Sequence, residues 1–289
     1  MSEVKTKKRS QLAEIWQRLR RNKMAMLGLA ILIVLALLAI FADVICDYDT
    51  MVVAQNMSIR LQGPSKAHIF GTDEFGRDIF ARIIHGARVS LVVGMISVSV
   101  SLILGGALGA FAGFYGGTVD MVIMRVLDVF LAVPSILLSM TIVAALGTDL
   151  IFVMIAIGIS SVPNFARIVR AAVMGVKDQE FVEASRAMGA SNASIIFKEV
   201  LPNCLAPIIV QSTLSVAGSI LSTASLSFIG LGVQPPDPEW GAMLSSGRQY
   251  IRDAIHLTVF PGLAIIITVL ALNLLGDGLR DALDPRLKQ

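Results

Sequence analysis

Residues 89–113, VSLVVGMISVSVSLILGGALGAFAG, carry no charged side chain from end to end. At about 1.5 Å per residue, a helix of that length spans the roughly 30 Å hydrocarbon core of a bilayer. Comparable apolar runs lie near 24–45, 121–146, 150–172, 205–230 and 257–275. Lipid offers no partner to open backbone groups, so each run is expected to be a helix. All are too long and too uniformly apolar for the alternating strands of a barrel. A mean hydropathy of +0.76 and a charged fraction of 16% fit an integral membrane protein. The expected fold is all-α and polytopic, with six transmembrane helices.

Residues 1–23 form a basic tail, with Lys5, Lys7, Lys8, Arg9, Arg18, Arg20, Arg21 and Lys23 ahead of the first span at 24–45. That span is too long for a signal peptide and no A-x-A site follows it. Cys46 follows the bulky Val44 and Ile45, which fit a lipoprotein site poorly, and Cys204 is expected at the opposite face, so the two cysteines are not expected to pair. With the N-terminus inside, the inner segments also hold Arg125, Arg167, Arg170, Lys177, Arg186, Lys198, Arg280, Arg286 and Lys288. Arg60, Lys66, Arg77, Arg82, Arg88, Arg248 and Arg252 remain outside. This bias predicts that both termini are cytoplasmic. The basic pI thus reports membrane orientation and calls for no nucleic acid partner.

Segment 46–88 is expected to be extracytoplasmic, ending in an amphipathic interfacial helix. Phe80, Ile83, Ile84 and Ala87 make its apolar stripe, with Arg77, Arg82 and Arg88 largely off it; the helix is either a plain connector or a substrate gate. A core of five further transmembrane helices is expected over 89–289. Gly105, Gly109, Gly113 and Gly117 recur every fourth residue, a face for close packing against an undetermined neighbour. Arg125 and Asp128, three apart, are expected to pair, and Pro134 and Pro163 to kink their helices. The fifth span carries Ser212, Thr213, Ser215, Ser219, Ser222, Thr223, Ser225 and Ser227, which either bond to backbone and neighbouring helices or line a polar path. Ser212, Ser215, Ser219 and Ser222 are the candidate path residues. In the following outer loop, GVQPPDPEWGAM, three prolines stiffen the chain and Trp240 suits a membrane interface.

Sequence motifs for catalysis are missing. There is no G-x-x-x-x-G-K-[ST] loop, no H-E-x-x-H and no G-x-S-x-G, and His68, His85 and His256 lack metal-ligand spacing. A non-catalytic chain that binds no cofactor or metal of its own is expected.

Residues 173–204 stand out as a charged, small-residue-rich loop between two apolar runs, placed in the cytoplasm by the charge bias. Asp178 precedes a helical stretch, Gly189 is suited to end it in a left-handed conformation, and Ser191 or Ser194 can cap a second helix expected to stop before Pro202. Phe181, Ala184 and Met188 fall on one side, while Glu183 and Arg186 offer a polar handle. Ala184, Ser185, Ala187, Gly189 and Ala190 keep the element slim enough for another protein's groove. The loop therefore reads as a docking element; the plain alternative is an amphipathic loop resting on headgroups.

The stretch EASRAMGASNASIIFKEVLP, 183–202, resembles the signature loop of ATP-binding-cassette importer permeases, E-A-A, three residues, Gly, nine residues, I-x-L-P. Glu183, Ala184, Gly189, Leu201 and Pro202 match in register. Ser185 replaces the second Ala, and Glu199 stands where the pattern has Ile, with Val200 beside it as a substitute core residue. GTDEFGRDIFARIIHGARVSL, FIGLGVQPPDPEWGAML and the C-terminal GDGLRDALDPRLKQ are similar to the second permease subunit of the dipeptide, oligopeptide and nickel uptake family, across essentially all of the chain after the tail. That resemblance implies a type I importer permease fold in a bacterial cell membrane. It also implies a homologous second permease, two cytoplasmic ATPase subunits that carry the ATP and Mg, and an extracytoplasmic substrate-binding protein. Glu183, Ala184, Ser185, Arg186, Met188, Gly189 and Ala190 would form the coupling helix docked on an ATPase, and a dipeptide or short oligopeptide would be the cargo. Nickel, a nickel chelate or glutathione carried by the same architecture is the alternative within transport. A membrane anchoring or interaction protein is the alternative of another class.

Overall fold

The computed structural model describes residues 11–283. Lys5, Lys7, Lys8, Arg9, Arg286, Lys288 and the last residues of the C-terminal motif lie outside the described residues. Among those described there is no strand, only one isolated bridge between Thr72 and Asp78. Ten principal helices carry the chain: α1 (Gln11–Arg21), α2 (Lys23–Ile40), α3 (Ile79–Tyr115), α4 (Gly117–Leu131), α5 (Ser135–Leu146), α6 (Leu150–Met174), α7 (Glu180–Ala187), α8 (Leu205–Ile229), α9 (Trp240–Gly247) and α10 (His256–Leu283).

Five helices, α2, α3, α6, α8 and α10, are each long and apolar enough to cross a membrane. A sixth span exists only if α4 and α5, bent by 84° at their junction, count as one. The span expected at 121–146 with a kink at Pro134 is thus a broken one that begins at Gly117 and bends just ahead of that proline. Pro134 has no N–H to continue the helix and disfavours the helical conformation of the residue before it, so it ends up as the N-cap of α5. Pro163, by contrast, sits inside an unbroken α6.

α3 corrects a second expectation. The interfacial helix and the second span are one continuous helix from Ile79 to Tyr115, capped by Asp78, whose carboxylate accepts from the Ala81 N–H at 2.9 Å. Protein packs against its first turns. Ile84 and Ala81 pack with Ala42, Cys46 and Val52 of the outer segment, so protein covers the stripe. Nor do the arginines lie free at an interface: Arg77 and Arg82 are buried around Asp73, and Arg88 donates to Asp43 at 2.9 Å and to the Ala39 carbonyl at 3.0 Å. With the Arg82 charge buried beside Asp73 and Arg88 paired to Asp43, nothing forces the helix to break and lie flat.

The glycine face packs against the same chain. A Cβ on Gly105 would sit 2.6 Å from the Val162 carbonyl oxygen and one on Gly113 2.8 Å from that of Arg170, and Gly109 meets Ala166 more closely still. α3 and α6 thus cross backbone to backbone, which only glycine permits. Gly117 does not extend the stripe; with φ +52° it helps turn the chain between α3 and α4. We expect Gly109→Leu to separate these two helices and lower the thermal midpoint of the detergent-solubilised protein by more than 5 °C, since overpacking typically costs about 1–3 kcal/mol; an unaltered midpoint by fluorescence-detected size exclusion would contradict the packing.

Cys46 and Cys204 are both free and buried, in separate clusters, as expected of residues that cannot pair.

Candidate functional site

The loop after α6 folds into a compact elbow at one end of the bundle. α7 starts at Glu180, one residue later than an Asp178 cap requires, with Gln179 at the N-cap. Glu180 and Glu183 lie in its first turn and Arg186 in its last, the arrangement that complements the helix dipole. Val182 and Ser185 are its buried residues, set against Val169, Val173, Ile195, Ile196, Val200 and Cys204. The body of the protein thus takes the Val182 side of the helix. Phe181 packs partly onto the core, whereas Ala184 and Met188 point away from it, Met188 being 81% exposed. Helical periodicity alone could not say which side the body of the protein takes. The outward surface is therefore Glu183, Ala184, Arg186, Ala187, Met188 and Gly189, and of the seven candidate docking residues only Ser185 is turned fully inward, with Ala190 partly covered.

Gly189 closes α7 in the left-handed region at φ +83°. The Ala190 N–H donates to the Ser185 carbonyl at 3.1 Å and the Gly189 N–H to the Arg186 carbonyl at 3.0 Å, the two bonds of a Schellman motif. No atom lies within 4 Å of where a Cβ would stand, so glycine is needed here for its backbone conformation and not for space.

Ser191 then caps the next helical stretch, its hydroxyl accepting from the Ser194 N–H at 3.3 Å. That stretch does not stop before Pro202. It runs through Asn192–Ile195, a wider π turn at Ile196–Val200 and Leu201–Asn203, then into α8 after Cys204, whose N–H bonds the Val200 and Leu201 carbonyls. Pro202 falls in the first turn of Leu201–Asn203, where its missing N–H costs least, and the chain remains helical. Val200 is fully buried and takes the core role, leaving Glu199 partly exposed. From Asn192 the chain thus stays helical into α8 apart from a turn at Cys204.

On α8 four of the eight hydroxyls donate to carbonyls of their own helix: Ser212 to Ile208 at 2.8 Å, Thr213 to Ile209 at 3.0 Å, Thr223 to Ser219 at 2.8 Å and Ser225 to Leu221 at 2.8 Å. Ser219 is buried in the fold, which takes it off any open face. Ser212, Ser215 and Ser222 stay partly exposed. Gln211, missed in the sequence, donates to the Ser215 hydroxyl at 2.9 Å, and Gln211, Ser215, Gly218, Ser222 and Ser225 follow the 4-3-4-3 spacing of one helix face.

Asp128 does not pair with Arg125. It receives Arg167 of α6 at 2.6 Å, while Arg170 grips Asp120 with two bonds of 2.5 Å. Both pairs tie α4 to α6, the second with the stronger bidentate geometry.

At the opposite end lies a buried ionic cluster that the sequence reading did not foresee. Asp73 accepts from the Arg77 guanidinium at 2.6 Å and from the Phe75 and Arg77 backbone N–H groups at 2.9 Å each, with Arg82 3.6 Å away. Arg82 also donates to the Val52 carbonyl at 2.9 Å, stitching the outer segments together. Burial, then the charge of Asp73, pushes the neighbouring Glu74 carboxyl above its ordinary range. Trp240 is fully buried and not at an interface: its ring N–H donates to the Ile83 carbonyl at 3.0 Å, and Glu239 caps α9 through the Gly241 and Ala242 N–H groups. Run-on motif stretches such as GTDEFGRD and PEWGA were the available signal; their roles appear only when distant loops meet.

Comparison with known proteins places this geometry. Residues 105–289 match the family described as binding-protein-dependent transport system inner membrane component, and residues 10–64 the N-terminal TM domain of oligopeptide transport permease C. The chain is 51% identical over 275 residues to the dipeptide transport system permease protein DppC of Alkalihalophilus pseudofirmus, covering 95% of this chain and 90% of that one. It is 48% identical to the di/tripeptide transport system permease protein DppC of Pseudomonas aeruginosa, covering 96% and 93%. It is 47% identical to the glutathione transport system permease protein GsiD of Escherichia coli O157:H7, covering 95% and 90%. Among solved structures, an inward-facing form of the MetNI methionine ABC transporter superposes with a TM-score of 0.58 at 19% identity, covering 71% of this chain and 98% of that chain, which bears on fold alone. An all-helical multi-pass body with an exposed, glycine-closed elbow and these full-length relatives leads to one assignment: the chain belongs to the binding-protein-dependent transport system inner membrane component family, the membrane permeases of ATP-binding-cassette importers.

Proposed function

We propose that this chain is the non-catalytic permease subunit of an importer that moves dipeptides or short oligopeptides into a bacterial cytoplasm. The single observation behind the substrate class is the near-full-length identity to dipeptide and di/tripeptide permeases. Both termini and the α7 elbow face the cytoplasm in this reading, in agreement with the Lys and Arg bias. A homologous permease completes the pathway, a substrate-binding protein delivers cargo from outside, and two ATPase subunits hold ATP and Mg. This chain holds neither.

The exposed face of α7, with Glu183, Ala184, Arg186, Met188 and Gly189, sits in a cleft of one ATPase. Because the stretch from Asn192 runs on helically into α8, closure of the ATPases on α7 displaces α8 through the Gly189 turn and switches the access of the path. Ser212, Ser215 and Ser222, with Gln211, line that path as weak polar contacts.

Glutathione import is the second reading, favoured by the GsiD relative. Proteoliposomes holding the complete importer and its binding protein test both. ATP-dependent uptake of labelled alanyl-phenylalanine, outcompeting glutathione, is expected. Uptake of glutathione alone would transfer the assignment to the second reading, and uptake of neither would refute both.

A further inference from the structure

Where α6 ends, α8 begins and α10 ends, the fold leaves an open cleft of about 400 Å³, within the range of small-molecule sites. Ile168, Pro207, Val210 and Leu214 supply apolar walls, and among the described residues the polar side chains that enter it are Gln211 and Arg280. Among the described residues no carboxylate lies within 4.0 Å of Arg280; the adjacent Asp281 instead accepts from Asn22 at 3.5 Å. Gln211 uses one N–H on Ser215, which leaves its carbonyl oxygen free to accept.

From this geometry we infer that the cleft is an exit site holding a peptide by its C-terminal carboxylate. Arg280 grips the carboxylate with its planar fork, the Gln211 carbonyl accepts a peptide N–H, and the apolar walls take the side chains. The inference rests on the reading of the chain as a peptide permease and adds a station to it.

The chemistry favours a peptide over a lipid. Gln211 heads the polar face that continues through Ser215, Gly218, Ser222 and Ser225, and a Cβ on Gly218 would meet nothing, so that face is open. The Gln211 amide oxygen set unpaired against acyl chains is unfavourable, so this end of the face borders water, cargo or the second permease and not lipid. The other large groove, about 380 Å³ between α3 and the stretch from Asn192 into α8, has the opposite character, walled by Leu102, Phe111, Phe197 and Leu201 with no charge or amide. Hydrocarbon suits that one.

The test uses the complete importer in nanodiscs, nucleotide-free and without binding protein, and measures binding of labelled alanyl-phenylalanine and of its C-terminal amide. Wild type is expected to bind the free acid roughly 10- to 100-fold more tightly than the amide, the scale of a charge-assisted pair. Arg280→Gln should bring acid binding down to the amide's level, and Arg280→Lys should recover part of the difference. The acid-to-amide ratio of wild type needs no variant, so a folding defect cannot mask the result. Equal binding of acid and amide, no change in Arg280→Gln, or no retained peptide in a complex that imports the dipeptide would each overturn the inference alone. So would competition by phosphatidylglycerol with loss of lipid, and not of peptide, in Arg280→Gln, which would make the cleft a lipid site. A wild-type complex that imports no dipeptide would instead overturn the function proposed above, and this inference with it.

Discussion

Gly189→Val is expected to reduce ATP-driven uptake at least tenfold while the chain still inserts and the ATPases still hydrolyse ATP. At φ +83° a β-branched residue is a genuine outlier, and holding it there costs about 1–3 kcal/mol. The turn therefore reopens, the Schellman bonds from Gly189 and Ala190 are lost, and the outward face of α7 no longer keeps its angle to the stretch from Asn192. Because nothing lies within 4 Å of the new Cβ, the defect comes from the backbone turn and leaves the packing of the core intact. Gly189→Asn is the control: asparagine tolerates the left-handed region and should keep most uptake. Uptake in Gly189→Val equal to wild type would refute the lever.

Asp73→Ala should have the largest effect on stability. Asp73 accepts from buried Arg77 and from two backbone N–H groups of its own turn, and is the counter-charge to buried Arg82 at 3.6 Å. Removing it leaves Arg77 and Arg82 without their central counter-charge in a site closed to water, a situation that typically costs about 3–5 kcal/mol. A yield of folded, monodisperse protein well below wild type is expected in fluorescence-detected size exclusion. Asp73→Asn should be intermediate, since the amide oxygen can still accept from the turn while the charge is gone. Wild-type yield and midpoint in Asp73→Ala would mean that the cluster contributes nothing to holding the outer segments. The contrast with Asp128 and Arg167 is instructive: that pair is largely exposed and should contribute little when broken.

These two sites also separate what was legible in the sequence from what was not. The all-helical membrane class followed from the lengths of the apolar runs, because hydrocarbon thickness and the need to satisfy every backbone group leave almost no alternative. The α7 elbow followed too, since a cap residue, a left-handed glycine and a short amphipathic stretch are local features. Gly189 and Ser191 do in the fold what their residue types announce. The close-packing face of Gly105, Gly109 and Gly113 was likewise visible as a period, but not its partner.

Tertiary structure alone decided which surfaces meet. It turned Met188 outward and Val182 inward, gave Asp128 to Arg167 and not Arg125, and buried Trp240 against Ile83. It also ran α3 without a break past Arg82, because Asp73, nine residues earlier in the chain, supplied the counter-charge inside the protein. Periodicity defines a face but not what covers it, and a charge in sequence does not name its partner. Local backbone chemistry is written within a few residues, whereas pairing and burial depend on segments such as 46–78 and 230–240 arriving at the same place, which only the folded chain arranges.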